Sequence, residues 1–154
     1  MSSGNINVEL ERSPVGMGIN KVSQWVKASD MTDSSTTGSI TLTQKIPAGA
    51  FVIGTKVTVK VAFDEDTSAA LTVGKSAAGT EFTDAGSVSI LAAGIVGKVA
   101  TDPLEFIASA TTVYAQVTTA SDFTLCYASD GEILIEVFYL STAVELTKGH
   151  PTRS

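Results

Sequence analysis

From Phe51 to Phe63 the chain alternates with period two. Phe51, Ile53, Val57, Val59, Val61 and Phe63 fall on one side, Lys56, Thr58 and Lys60 on the other, and Thr55 is the one break. That spacing predicts a β-strand with one face in a core and one in water. Pro47 to Gly49 precedes it, and Pro at the second and Gly at the fourth position suit a type I turn. A second alternation, Phe123, Leu125 and Tyr127 against Thr124 and Cys126, leads to Asp130-Gly131, a favoured two-residue hairpin pair. The partner strand would be Ile133 to Leu140, apolar everywhere except Glu136. A strand apolar on both sides is central and covered twice. One cover is the domain's own second sheet, and the other is a neighbouring subunit or a loop.

Shorter alternations surround Val22–Ala28, Ile40 and Leu42, Leu71 and Val73, Val88 and Ile90, and Val113, Ala115 and Val117. No window carries the 3, 4, 7 spacing of an amphipathic helix. About eight short strands separated by turns read as an all-β fold, a single β-sandwich or jelly-roll-like domain. The domain is expected over residues 19–147, with an extended N-terminal arm at 1–18 and a polar tail at 148–154. Met31 to Gly38 reads as a polar Ser/Thr loop, and Leu91 to Asp102 as an Ala/Gly-rich segment too broken by glycine for a helix. A loop that exposes Ile95 and Val96 seeks a partner, although a buried crossover inside the domain fits the same residues. The candidate protein-contact residues are Ile6, Val8 and Leu10 on the arm, with Ile95 and Val96.

Composition changes this picture in one respect. Only 17% of the 154 residues are charged, against about 25% in a typical soluble domain. The polar surface therefore rests on Ser, Thr and backbone, which cost less to desolvate than unpaired charges. This favours protein contact, although a low-charge monomer has the same composition. The formal net charge is −6, and the ten Lys and Arg residues are scattered singly, which argues against nucleic acid and against anionic membranes as partners. The N-terminus lacks the basic and apolar regions of a secretory signal.

Candidate chemistry is sparse. Cys126 is the one cysteine and His150 the one histidine, so neither a disulfide nor a His- or Cys-based metal cluster or triad can be assembled within the chain. Asp64-Glu65-Asp66 lacks the alternate-residue ligands and glycine of a calcium loop. The glycines at 74–79 and 94–97 match no phosphate-binding pattern. Trp25 is expected in the core; exposed, it would stack on a sugar or anchor an interface. The expectation is a protein with no enzymatic activity and no cofactor.

Three stretches together, QKIPAGAFVIGTKVTVKVAF at 44–63, LTVG at 71–74 and DGEILIEVFYL at 130–140, resemble the capsid decoration (cement) proteins and head-fibre-like proteins of tailed bacteriophages. The resemblance covers about residues 40–140 and is one of style rather than of identity. It implies a β-sandwich or jelly-roll module, made in the host cytoplasm, that sits as a homotrimer on the outer capsid surface. There it would cement the major capsid protein, with the N-terminal arm reaching that partner. It implies no site residue. The alternative is a receptor- or carbohydrate-binding module of a phage tail or head fibre, with Trp25 and the tyrosines as stacking residues.

Overall fold

The computed structural model describes residues 17–142. In chain order the strands are β1 (Met17–Lys27), β2 (Thr32–Ser34), β3 (Thr37–Ile46), β4 (Ala50–Val61), β5 (Ala69–Gly74), β6 (Val88–Ser89), β7 (Gly94–Val99), β8 (Glu105–Phe106), β9 (Thr111–Thr119) and β10 (Glu132–Thr142). They form two antiparallel sheets. The front sheet runs β1-β10-β4-β7, with β8 also on β4, and the back sheet runs β2-β3-β9-β5-β6. The expected all-β sandwich is the observed architecture.

Val22, Val26, Val57, Val59, Ile133, Ile135 and Val137 project from the front sheet onto Leu42, Ile46, Leu71, Val73, Val113 and Val117 of the back sheet, and all of them are buried. Branched side chains at alternate positions on both inner faces are what a two-sheet core requires. β10 is central, between β1 and β4, as its two-sided apolar character predicts.

The long strand departs from its simple reading. It runs Ala50–Val61, and its phase flips where Phe138 pairs with Gly54 but Tyr139 pairs with Val52. This bulge skips Ile53. Val52 then points inward while Phe51 and Ile53 are only half-buried, so neither joins the core. One extra residue moves every following side chain to the other face. Thr55, the apparent break, is buried, and its hydroxyl donates to the Phe82 carbonyl at 2.8 Å. The turn before the strand closes from Ala50 N–H to Pro47 carbonyl, with Gly49 at φ +86. Pro47 is therefore the first residue of the turn and Gly49 the third, where a positive φ is required.

Three expected elements are corrected. Residues Phe123–Tyr127 form a 3-10 helix, not a strand. Asp122 caps it by accepting the Thr124 N–H at 3.0 Å. Three residues per turn put Phe123 and Cys126 on one buried side, while Leu125 and Tyr127 stay exposed. Residues Met31 to Gly38 contain β2 and the hairpin into β3. The glycine-broken segment from Leu91 to Asp102 contains β7, an edge strand on β4.

Phe123 packs so closely over Gly38 that a Cβ there would overlap the phenyl ring, whereas a Cβ on Gly97 would meet nothing within 4 Å. Gly38→Ala should therefore lower unfolding stability by about 1–3 kcal/mol, and Gly97→Ala should change it by less than about 0.5 kcal/mol. Urea titration followed by Trp25 fluorescence would measure both.

Candidate interaction face

The strand registers place the outward side chains of the front sheet in four rows. Ile19, Leu140, Phe51 and Phe106 form the first; Lys21, Phe138, Gly54 and Val99 the second. Ser23, Glu136, Lys56 and Gly97 form the third; Trp25, Leu134, Thr58 and Ile95 the fourth. Two of these rows are almost wholly apolar. Ile95 is 68% exposed, Val99 63% and Trp25 48%. Phe51 and Phe106 lie against each other with ring centroids 5.1 Å apart and their planes tilted by 48°. Gly54 and Gly97 contribute no side chain, and the surface sinks there into a depression of about 510 Å³ walled by Ile19, Ile53, Ile95, Val99 and Phe138.

One charged cluster interrupts the apolar rows. Glu136 is 4% exposed and lies between Lys21 at 2.6 Å and Lys56 at 3.3 Å, on the neighbouring strands. The hydrogen bond from Lys21, with that from Lys56, holds the Glu136 carboxyl below its ordinary range against the opposing effect of burial. A carboxylate in this place is stable only while both ammonium groups stay with it. Lys60 sits 5.7 Å over the Trp25 ring and 3.5 Å from Glu132.

The back sheet presents a different outer surface. Its rows are Thr37, Thr118 and Ala70; Ser39, Gln116 and Thr72; and Thr41, Tyr114 and Gly74. Hydroxyls and amides of this kind are at home in water. The two faces of the sandwich are thus chemically unequal, and the apolar one is the candidate contact surface, because continuous exposed apolar area marks interaction sites.

The structure places Ile95 on that surface. Val96 points to the opposite side of β7 and is 36% exposed, so the two do not act together. Ile6, Val8 and Leu10 lie outside the described residues, as does His150. Trp25 was expected in the core and is instead on the front face, because it shares the phase of Ile19 and Lys21 rather than that of Val22 and Val26. Sequence reasoning missed Phe51, Ile53, Val99, Phe106 and Phe138. The doubled apolar phase of β10 signalled Phe138; the bulge that exposes Ile53 left no local signal. Asp66, in the acidic run, organises a loop. It accepts N–H groups of Ser121 at 2.7 Å, Thr67 at 2.6 Å and Asp122 at 3.3 Å, which hold its carboxyl below the usual range.

No protein-family model matches the sequence, and no curated protein does. A solved structure does: a chain of the cyanophage Pam1 capsid asymmetric unit, at a TM-score of 0.55. The fold is shared with a phage capsid chain. The match covers 86% of this chain and 93% of that one at 18% identity. At that identity the likeness is one of architecture.

The Glu136 cluster makes stability depend on acidity. A carboxyl with a depressed native pKa stabilises the fold above its unfolded value, about 4.3 for Glu. That contribution disappears as pH falls through the native value. The wild type should therefore lose stability on acidification below about pH 4.3, and Glu136→Gln should lose measurably less over the same window in thermal melts. At neutral pH, Lys21→Met with Lys56→Met leaves Glu136 unpaired. It should cost about 1–3 kcal/mol, between the exposed and buried limits for ion pairs.

Proposed function

We propose that this chain is a structural protein of a phage particle that binds the outer surface of the assembled capsid and stabilises the shell. The observation that carries the reading is the front face, a sheet surface of Ile, Val, Phe and Trp side chains opposite a back face of Thr, Ser and Gln. A sandwich with one apolar and one hydroxylated outer face is suited to lie between a protein surface and water. The fold shared with a chain of a phage capsid unit supports a capsid as that surface, with the major capsid protein as the partner. The sequence resemblance to decoration proteins supports the outer side of the shell and a trimeric state.

The mechanism needs no bond-making step. A protein that binds only the assembled lattice stabilises it by mass action, by about 2.7 kcal/mol when free protein is at a hundred times its dissociation constant. Surface burial supplies the affinity, and a few well-packed anchors, aromatic ones above all, dominate such energies. On this reading the protein is not an enzyme and takes no cofactor.

The purified protein should co-sediment with mature capsids of its own phage and raise the temperature at which they release DNA. Ile95→Lys combined with Phe106→Asp should weaken that binding at least tenfold without unfolding the domain, since both side chains are exposed. Protein that leaves capsids unbound and their melting unchanged overturns the proposal. A second reading, a glycan-binding module, draws on the exposure of Trp25 beside Lys60. It predicts a change in Trp25 fluorescence on adding host surface glycans, and capsid binding unaffected by the double substitution.

A further inference from the structure

The two edges of the front sheet are treated differently. At β1, Gln44 accepts the Ser23 N–H at 3.4 Å, and Gln24 accepts the Thr43 N–H at 2.8 Å, so glutamine side chains bridge this edge to β3. At the far edge, among the described residues, β7 pairs with β4 alone. Ala100 N–H donates to the Ile53 carbonyl. By antiparallel alternation Lys98 and Val96 face β4, and Ile95, Gly97 and Val99 turn their N–H and C=O groups toward the open edge. An edge both unpaired and apolar is a template for another strand.

We propose that β7 receives the N-terminal segment Asn5–Glu11 of a second copy of this chain, as an added strand. The segment reads Asn-Ile-Asn-Val-Glu-Leu-Glu, and its period-two pattern matches the edge. With Ile6, Val8 and Leu10 on the outer side, they continue the apolar rows of Ile95 and Val99 and wall the front depression. Glu9 and Glu11 then fall on the other side of the sheet, with Lys98. Apolar meets apolar and carboxylate meets ammonium in one register.

Two alternatives on the same surface fit less well. Face-to-face stacking of two front sheets would bring two copies of the Lys21–Glu136–Lys56 cluster together, each with one more ammonium than carboxylate, and bury like charge against like. The chain's own arm would reach only at full extension. Leu10 set beside Val99 lies about 23 Å from Met17, counting four strand spacings across and four residues along. Seven fully extended residues span about 23–25 Å. The arm would have to run straight, with Pro14 in it, past β8 and Phe106. A second copy has no such limit. The proposal does not depend on capsid binding, so either can fail alone.

The test uses the full chain, a chain lacking residues 1–12, and Gly97→Pro. Proline is tolerated where the N–H faces away from the ladder, so Gly97→Pro leaves the β4–β7 pairing intact while blocking an added strand. Light scattering should give a multiple of 15.9 kDa for the full chain and a single-chain mass for both variants. Amide exchange at Ile95, Gly97 and Val99 should be at least tenfold slower in the full chain than in the truncated one. A monomeric full chain overturns the proposal, and slow edge amides in that monomer would point to the chain's own arm. An oligomer that survives truncation but not Gly97→Pro also overturns it, because a segment other than the arm then occupies β7.

Discussion

β10 is apolar on both faces, apart from Glu136, and a two-layer sandwich covers only one of them. Ile133, Ile135 and Val137 fill the space between the sheets, while Leu134, Phe138 and Leu140 on the same strand look outward from its middle. Burying apolar area is worth about 25 cal/mol per Å². The inner face collects that energy when the chain folds. The outer face collects it only when something else arrives. The exposed side chains of β1, β7 and β8 lie on the same side of the sheet, which is why the candidate contact surface is centred on β10 and β4.

Glu136 shows how such a surface keeps its identity in the meantime. An all-apolar outer face would stick to any sheet with a bare edge or face. A carboxylate held between Lys21 and Lys56 offers little stability beyond what a leucine would supply. Instead, it requires that whatever covers the face leave the cluster hydrated or supply matching groups. Such a cluster disfavours any covering surface that would leave it unpaired, which is one physical route to specificity. Gly54 and Gly97 act in the same direction by shape. At Gly54 a Cβ would overlap the Lys98 backbone, so the close approach of β4 and β7, and the depression it leaves, are tied to that glycine.

Much of this was legible in the chain. Period-two alternation located β3, β4, β5, β9 and β10, and the double phase of β10 announced a central strand. What failed failed for physical reasons. Phe123, Leu125 and Tyr127 mimic a strand because spacings of two and three both begin with Phe123; Asp122, placed to cap a helical turn, was the distinguishing sign. β7 escaped because an edge strand pairs on one side only and tolerates glycine. The split of β4 into two phases depends on a bulge opposite Phe138 and Tyr139, a tertiary event that no local pattern of Phe51, Ile53 and Val57 encodes. Trp25 follows from the same limit. Its neighbours in sequence, Gln24 and Val26, face the back sheet, and only the pairing of Val26 with Ile133 fixes which phase of β1 is inside.

That dependence explains why the face was harder to read than the fold. The core of a sandwich is specified redundantly, by many alternating strands that must agree on one inside. The outer face is specified by the exceptions: a skipped residue at Ile53, a glycine at 54, a tryptophan in the solvent phase of β1, an apolar edge strand at β7. Each departs from the rule that polar residues point outward, and each costs solubility in the isolated domain. Departures clustered on one side of one sheet, with the outer rows of the opposite sheet mostly hydroxyls and amides, mark that side as the candidate contact surface. Scattered departures would have meant only tolerance.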